Sequence, residues 1–362
     1  MNPRPTICFL TGTLDALAGA ERVTAVIANG LARRGWQVRI LCLWSQNTQY
    51  TLDSSIRLDA LHSKRPSFKS RYIETVLGIR RYVADHQIDI LISVDTMLTL
   101  FTLPACFRLP VRQIAWEHCN FDQDLGRRSR RLARRLAARF FERVVVLTAR
   151  DRARWHACLN PANPVEVISN PLPFKPPESS PMPHSRTVLA VGRLTEAKGF
   201  DVLLRAWKQV AMAYPGWKLR IVGEGECRAE LERLRDQLEL SDSVTLPGAT
   251  SQITNEYSDA DIFCLSSRFE GFGMVLIEAM AFGLPVVSTD CETGPREILQ
   301  DGKNALLAPV NDSEALAGRI MQLVADDALR QQIARGGAAT VRRYMPDLVL
   351  ESWERLLLAP NA

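Results

Sequence analysis

Apolar residues in this chain come in short runs, and the stretches between them repeat at a helical period. TICFLT (6–11), QVRILCL (37–43), ILISV (90–94), RQIAWEH (112–118), RVVVLT (143–148) and VEVIS (165–169) read as strands, with a helix from about residue 20 to 34 after the first. Strands that alternate with helices predict a parallel, doubly wound sheet. The pattern breaks at NPLPFKPPESSPMPHS (170–185), where proline and serine extend neither element, and this segment reads as a linker. It restarts with TVLAVG (187–192), KLRIVG (218–223), SVTLPG (243–248), IFCLSS (262–267) and PVVSTD (285–290), again with helices between. The expectation is an α/β protein of two doubly wound domains facing a central cleft: residues 1–170, a linker at 171–186, and residues 187–344. Such sheets bind ligands beyond the carboxyl ends of their strands, so the informative side chains should follow strands.

Composition changes this picture little. A length of 362 residues with 46% hydrophobic content suits two cores of ordinary size. MNPRPTICFLTG lacks the apolar core of a secretory peptide, and the longest apolar stretch (88–107) is broken by Asp89, Asp95 and Pro104. It reads as a strand and a packed helix rather than a membrane span, so a soluble, cytoplasmic protein is expected. The eight cysteines are scattered without a CxxC pair, which fits reduced thiols and argues against structural zinc.

Charge changes it more. The net charge is only +5, but GRRSRRLARRLAARFFER (126–143) concentrates arginine, with Leu132, Leu136 and Phe140 at steps of four. That is an amphipathic basic helix, read either as a solvated face or as one drawn to an anionic membrane surface or a phosphorylated acceptor. Residues 65–81 add a further basic strip. No nucleic-acid-binding motif accompanies these arginines, so nucleic acid is not an expected partner.

The candidate chemistry lies after strands. Glu270 follows IFCLSS, Gly271-Phe272-Gly273 turns the chain into a helix, and Glu278 lies about two turns on. Carboxylates suit vicinal hydroxyls, and free N–H groups at a helix start suit phosphate or sugar oxygens; a salt bridge beneath the helix is the structural alternative for Glu278. After TVLAVG come Arg193 and Lys198, flanked by Gly192 and Gly199, a pair suited to a diphosphate unless they are plain surface cations. Gly223 and Gly225 imitate half of a dinucleotide fingerprint, but Arg228 stands where its third glycine belongs, which disfavours a nicotinamide dehydrogenase. Gly12 and Gly19 sit in the loop before the first helix, and His118 stands at the end of RQIAWEH, as a cleft-facing group or a hydrogen-bonded structural histidine. Asp122-Gln-Asp124 and Asp259-Ala-Asp261 match a DxD metal signature, yet neither is at a strand's carboxyl end, and no metal is assigned to them.

Taken together, EGFGMVLIE with its two glutamates, GRLTEAKG with its arginine and lysine, the GEG loop, GAERV and the strand-end EH resemble the family-4 retaining glycosyltransferases over almost the whole chain. The resemblance implies a GT-B fold of two Rossmann-like domains, with the last helix (345–359) crossing back to the first. It implies that Arg193 and Lys198 hold the donor diphosphate and stabilise the leaving group, and that Glu278 takes the ribose hydroxyls. Glu270, with the amides of Gly271, Phe272 and Gly273, would contact the donor sugar, and His118 would lie near its reacting face. Gly19, Gly223 and Gly225 would belong with the nucleotide-binding residues, although Ala18 stands where many members have glycine.

By the same resemblance the donor is a UDP-sugar, with a GDP-sugar as the alternative, and neither metal nor other cofactor is needed. The acceptor is a glycan on a polyprenyl diphosphate, in bacterial surface polysaccharide or glycan biosynthesis on the inner face of the cytoplasmic membrane. The rival enzyme is a GT-B sugar-nucleotide epimerase; the non-enzymatic rival, a membrane- or polymer-binding protein, sits poorly with intact Arg193, Lys198, Glu270 and Glu278.

Overall fold

The computed structural model describes residues 4–16, 18–67, 69–124, 126–177 and 185–360, and divides into two units. The first comprises residues 1–173 with 345–362, and the second residues 174–344. Seven residues of the expected linker (178–184) lie outside the described residues, and Phe174 already packs edge-on against Phe282 of the second unit.

The first unit is built on seven parallel strands: β1 (Thr6–Thr11), β2 (Gln37–Trp44), β3 (Arg57–His62), β4 (Ile90–Val94), β5 (Arg112–Trp116), β6 (Arg143–Val146) and β7 (Val165–Val167). Their order is β3-β2-β1-β4-β5-β6-β7. The second unit has six: β8 (Thr187–Val191), β9 (Lys218–Val222), β10 (Val244–Gly248), β11 (Ile262–Leu265), β12 (Val286–Thr289) and β13 (Leu306–Ala308), ordered β10-β9-β8-β11-β12-β13. The strand order reverses between β1 and β4 in one sheet and between β8 and β11 in the other; at such points the connecting loops part and leave room for a ligand. Sequence pattern misses β3 and β13: RLDALH has mostly half-buried positions, and LLA is too short to show a period.

Helices of the first unit are α1 (Gly19–Arg33), α2 (Tyr72–Asp85), α3 (Thr99–Ala105), α4 (Arg128–Phe140) and α5 (Ala149–Leu159). Those of the second are α6 (Phe200–Ala213), α7 (Arg228–Gln237), α8 (Ile253–Ser258), α9 (Met274–Ala281), α10 (Pro295–Ile298), α11 (Ser313–Ala325) and α12 (Asp327–Val341). A last helix, α13 (Pro346–Leu358), packs on α1, where a Cβ on Gly30 would come within 2.3 Å of Leu350 Cδ1. Residues 88–107 form β4, a 3₁₀ turn and α3, and among the described residues no helix is long and apolar enough to cross a membrane.

The basic helix packs in an unusual sense. In α4 the buried residues are Arg130, Ala133, Arg134, Ala137 and Ala138, whereas Leu132 and Phe140 face solvent. A sequence period of four for leucine ordinarily marks the core-facing stripe; here the core side is alanine and two arginines, because a buried carboxylate beneath the helix takes them.

Candidate functional site

At the switch point of the second unit, the loops after β8 and β11 meet. Lys198 closes a 3₁₀ turn (Glu196–Lys198), and its Nζ lies 2.6 Å from Glu270 Oε1. The same oxygen accepts a 2.6 Å hydrogen bond from Ser267 Oγ, and Thr293 Oγ1 donates to the Glu270 carbonyl. Glu270 is buried, and among the described residues its Oε2 accepts no hydrogen bond. Two further ties fix the lysine loop: Ser266 Oγ donates to Lys198 O, and Arg268 donates to Glu196 O while forking onto Asp201 at 2.9 and 2.7 Å. Arg193 stands apart, with its side chain 73% exposed and 3.2 Å from Glu226.

Gly223 and Gly225 have a packing role. At Gly223 (φ +151°) a Cβ would lie 1.9 Å from Gly192 O, and at Gly225 one would lie 2.3 Å from Leu194 O. Without side chains there, the β8 and β9 loops run against each other, with Gly192 N donating to Val222 O and Leu194 N to Glu224 O. The glycines thereby set the backbone from which Arg193 and Lys198 rise.

Gly273 (φ +88°) opens α9, a conformation that favours glycine. Phe272 is buried edge-on against Tyr344, so of the 271–273 turn only backbone is offered at this position. Glu278, in the second turn of α9, is buried and accepts a 2.9 Å hydrogen bond from the Tyr257 hydroxyl. Tyr257 is itself buried and stacks on Phe282.

In the first unit a second constellation lies at the ends of β4 and β5. Strand alternation sends Glu117 to one face and Trp116 and His118 to the other. Glu117 is fully enclosed: Arg134 Nε is 2.8 Å from Oε2, Arg130 Nη1 is 3.1 Å from Oε1, and Thr96 Oγ1 and Cys119 N also donate to it. Arg130 spans from Glu117 to Asp95, whose φ of +98° is strained for a residue with a side chain. His118 packs against Trp116, which meets Trp353 of α13 edge-on. His118 Nε2 is shut from solvent and has no hydrogen-bond partner among the described residues, and burial holds its pKa down to about 4. Gly19 is the first residue of α1 with open space at its Cβ position; beside it Tyr50 pins the loop through Ala16 O and Ala18 O.

The structure thus brings Lys198 and Glu270 into contact, sets Glu278 on the helix that follows, and gives Arg193 a different partner. Sequence reading misses Ser267, Arg268 and Tyr257, which hold these groups, and Glu117, Arg130 and Arg134, which lie beneath His118. Arg130 and Arg134 carry a legible signal, an i,i+4 pair on one helix face; Tyr257 carries none. Three of the four DxD aspartates are engaged by the protein: Asp122 by Arg150 and Arg154, Asp124 by Arg131, and Asp261 by Ser185 and the Thr187 amide.

Two parallel-sheet α/β units with charged groups at their switch points are the architecture of the GT-B fold. The profile described as Glycosyltransferase Family 4 matches residues 17–174 and that of Glycosyl transferases group 1 matches residues 175–340. Over 97% of this chain and 99% of its own length, the amylovoran biosynthesis glycosyltransferase AmsD of Erwinia amylovora is 30% identical. A Campylobacter jejuni enzyme named as a GalNAc-α-(1→4)-GalNAc-α-(1→3)-diNAcBac-PP-undecaprenol α-1,4-N-acetyl-D-galactosaminyltransferase is 24% identical over 97% of this chain and 98% of its own. Among solved structures, Anabaena HepE in complex with UDP and glucose superimposes with a TM-score of 0.82 at 20% identity, covering 99% of this chain and all of that one. The chain belongs to glycosyltransferase family 4.

Proposed function

We propose that the protein transfers a sugar, with retention, from a UDP-sugar to a glycan carried on a polyprenyl diphosphate, at the inner face of the cytoplasmic membrane. The observation that carries this reading is the Lys198–Glu270 contact at the β8/β11 switch point, with Glu278 in the second turn of the next helix. In this reading Lys198 and Arg193 bind the diphosphate, Glu278 accepts from the ribose hydroxyls, and Glu270 Oε2 accepts from a donor-sugar hydroxyl. The anomeric carbon–oxygen bond to phosphate breaks as the acceptor oxygen bonds to the same face of that carbon. The acceptor proton passes to a phosphate oxygen, and the nucleoside diphosphate leaves. Cations placed beforehand favour the leaving group's growing charge over the ground state. With lysine and arginine in that role no metal is needed, and EDTA should leave turnover unchanged. UDP is favoured by the motif resemblance, and the polyprenyl acceptor by the name of the Campylobacter relative.

The test is melting of the purified protein against UDP, GDP, ADP and NAD. A ligand at a hundred times its Kd adds about 2.7 kcal/mol, a rise of a few degrees. UDP should raise the melting temperature of the wild type and not of Glu278→Ala. A shift with NAD alone, or with none of the four, would remove the donor-site assignment. Donor consumed without acceptor, giving a C2 epimer, would replace transfer by epimerisation.

A further inference from the structure

We infer that the outer face of α2, α3 and α4 in the first unit is a bilayer-docking surface whose apolar side chains enter the lipid interface while arginines meet anionic headgroups. The inference rests on the lipid-linked acceptor reading and assigns it a surface. Among the described residues nine large hydrophobic side chains are exposed, and six of them lie on this one layer of helices: Tyr72, Ile73 and Leu77 on α2, Phe107 just after α3, and Leu132 and Phe140 on α4. Ile73 (71%), Phe107 (65%), Phe140 (56%), Leu77 (53%) and Leu132 (51%) are more than half exposed. The helices are neighbours: α3 packs on both α2 and α4, the Tyr72 hydroxyl donates to Leu100 O, and Arg80 donates to the carbonyls of Ala105 and Phe107.

Helical spacing gives each face its make-up. On α2, Ile73, Leu77 and Arg81 follow one another at steps of four, opposite the buried Thr75, Ile79 and Val83. On α4, Leu132, half-buried Leu136 and Phe140 form one outward row, with Arg128, Arg135 and Arg139 exposed beside it and no acidic residue in the helix. The arginines that face inward, Arg130 and Arg134, are bound to Glu117 and are not available to lipid. An apolar row beside a cationic row, lying along the surface, fits an anionic membrane interface. A patch that simply solubilised the protein would not collect six of the nine exposed apolar side chains.

Apolar entry and pure charge attraction differ in their response to salt, because screening weakens only the second. The experiment floats the full chain on vesicles of phosphatidylcholine with about a third phosphatidylglycerol, in low salt and in 0.5 M NaCl (roughly a 4 Å screening length). Wild type should float in low salt and keep a salt-resistant fraction. Leu132→Ser/Phe140→Ser and Ile73→Ser/Leu77→Ser should each lower partitioning by about tenfold or more, with unchanged melting since these sites are solvent-facing. Met212→Ser, an exposed apolar site in the second unit, should float like wild type. Serine variants that float normally would overturn the apolar entry while leaving the acceptor reading standing. Failure of wild type to float on any vesicle would overturn the docking surface, and transfer to detergent-solubilised lipid-linked acceptor then decides the acceptor reading separately. Concentration-dependent dimerisation removed by the serine variants, without flotation, would give the face to a second copy instead.

Discussion

Lys198 is held beside the place a diphosphate would need it by a group of the same sign as that diphosphate, Glu270, at 2.6 Å. Removing the lysine leaves a buried carboxylate with Ser267 alone, which costs stability as well as transition-state binding. Lys198→Ala should lower kcat by roughly a hundredfold, the scale of losing one charge-stabilising donor, and should also lower the melting temperature. Adding Glu270→Gln should recover the melting temperature and not kcat. A near-normal kcat in the single variant would sink the assignment. His118 makes a separate prediction. Its folded pKa of about 4 lies below the ordinary 6.5, so between those values the unfolded chain binds a proton that the folded chain refuses. Stability therefore falls as pH drops through that window, by up to about 3 kcal/mol, and is unaffected above it. Urea unfolding at pH 7 and pH 4.5 should reveal this loss in wild type, and His118→Gln should lack that share of it.

Between residue and fold stand the ties that hold one loop to another. Arg268 joins the lysine loop to the end of β11 by forking onto Asp201 and capping Glu196 O. A lysine cannot reproduce that fork. Arg268→Lys should lower kcat about tenfold and, because Lys198 on the same loop is assigned to the diphosphate, should also diminish the UDP melting shift; Asp201→Asn should match it, and an unchanged kcat in both would remove the positioning role. Sequence made the strand ends legible here because apolar runs of four to six residues stop where the loops begin. It named Arg193, Lys198, Glu270 and Glu278 through spacing. What it could not give was pairing: a one-dimensional pattern carries no trace of Tyr257 reaching Glu278, twenty-one positions away. In α4 the pattern marked an amphipathic basic helix without telling which side faces inward: buried Glu117 makes two arginines core residues and turns the leucine row outward.

At the scale of the molecule, α13 belongs to the first unit although the whole second unit precedes it in the chain. It buries Val349, Leu350, Trp353, Leu356 and Leu357, each contributing about 1.5–3 kcal/mol. Glu354 receives Arg34 at 2.8 Å and Trp36 Nε1 at 2.8 Å, and Arg112 donates to the carbonyls of Leu357 and Ala359. The gross burial is on the order of 10 kcal/mol, comparable with the whole stability of a typical domain. A chain ending at residue 344 should lose or strongly lower the first unit's calorimetric transition and keep the second's, still raised by UDP. A single unchanged transition would show that α13 adds little.

The same connectivity sets an order of events during synthesis. As the polypeptide leaves the ribosome, β1 to β7 emerge first, yet their sheet lacks the Trp353 face until more than a hundred and seventy further residues have been made. Residues 174–344 are complete before then and can fold as a continuous segment. The half that carries Lys198, Glu270 and Glu278 is therefore finished first, and the half emerging first from the tunnel waits, with an uncovered apolar face, for the return of the chain.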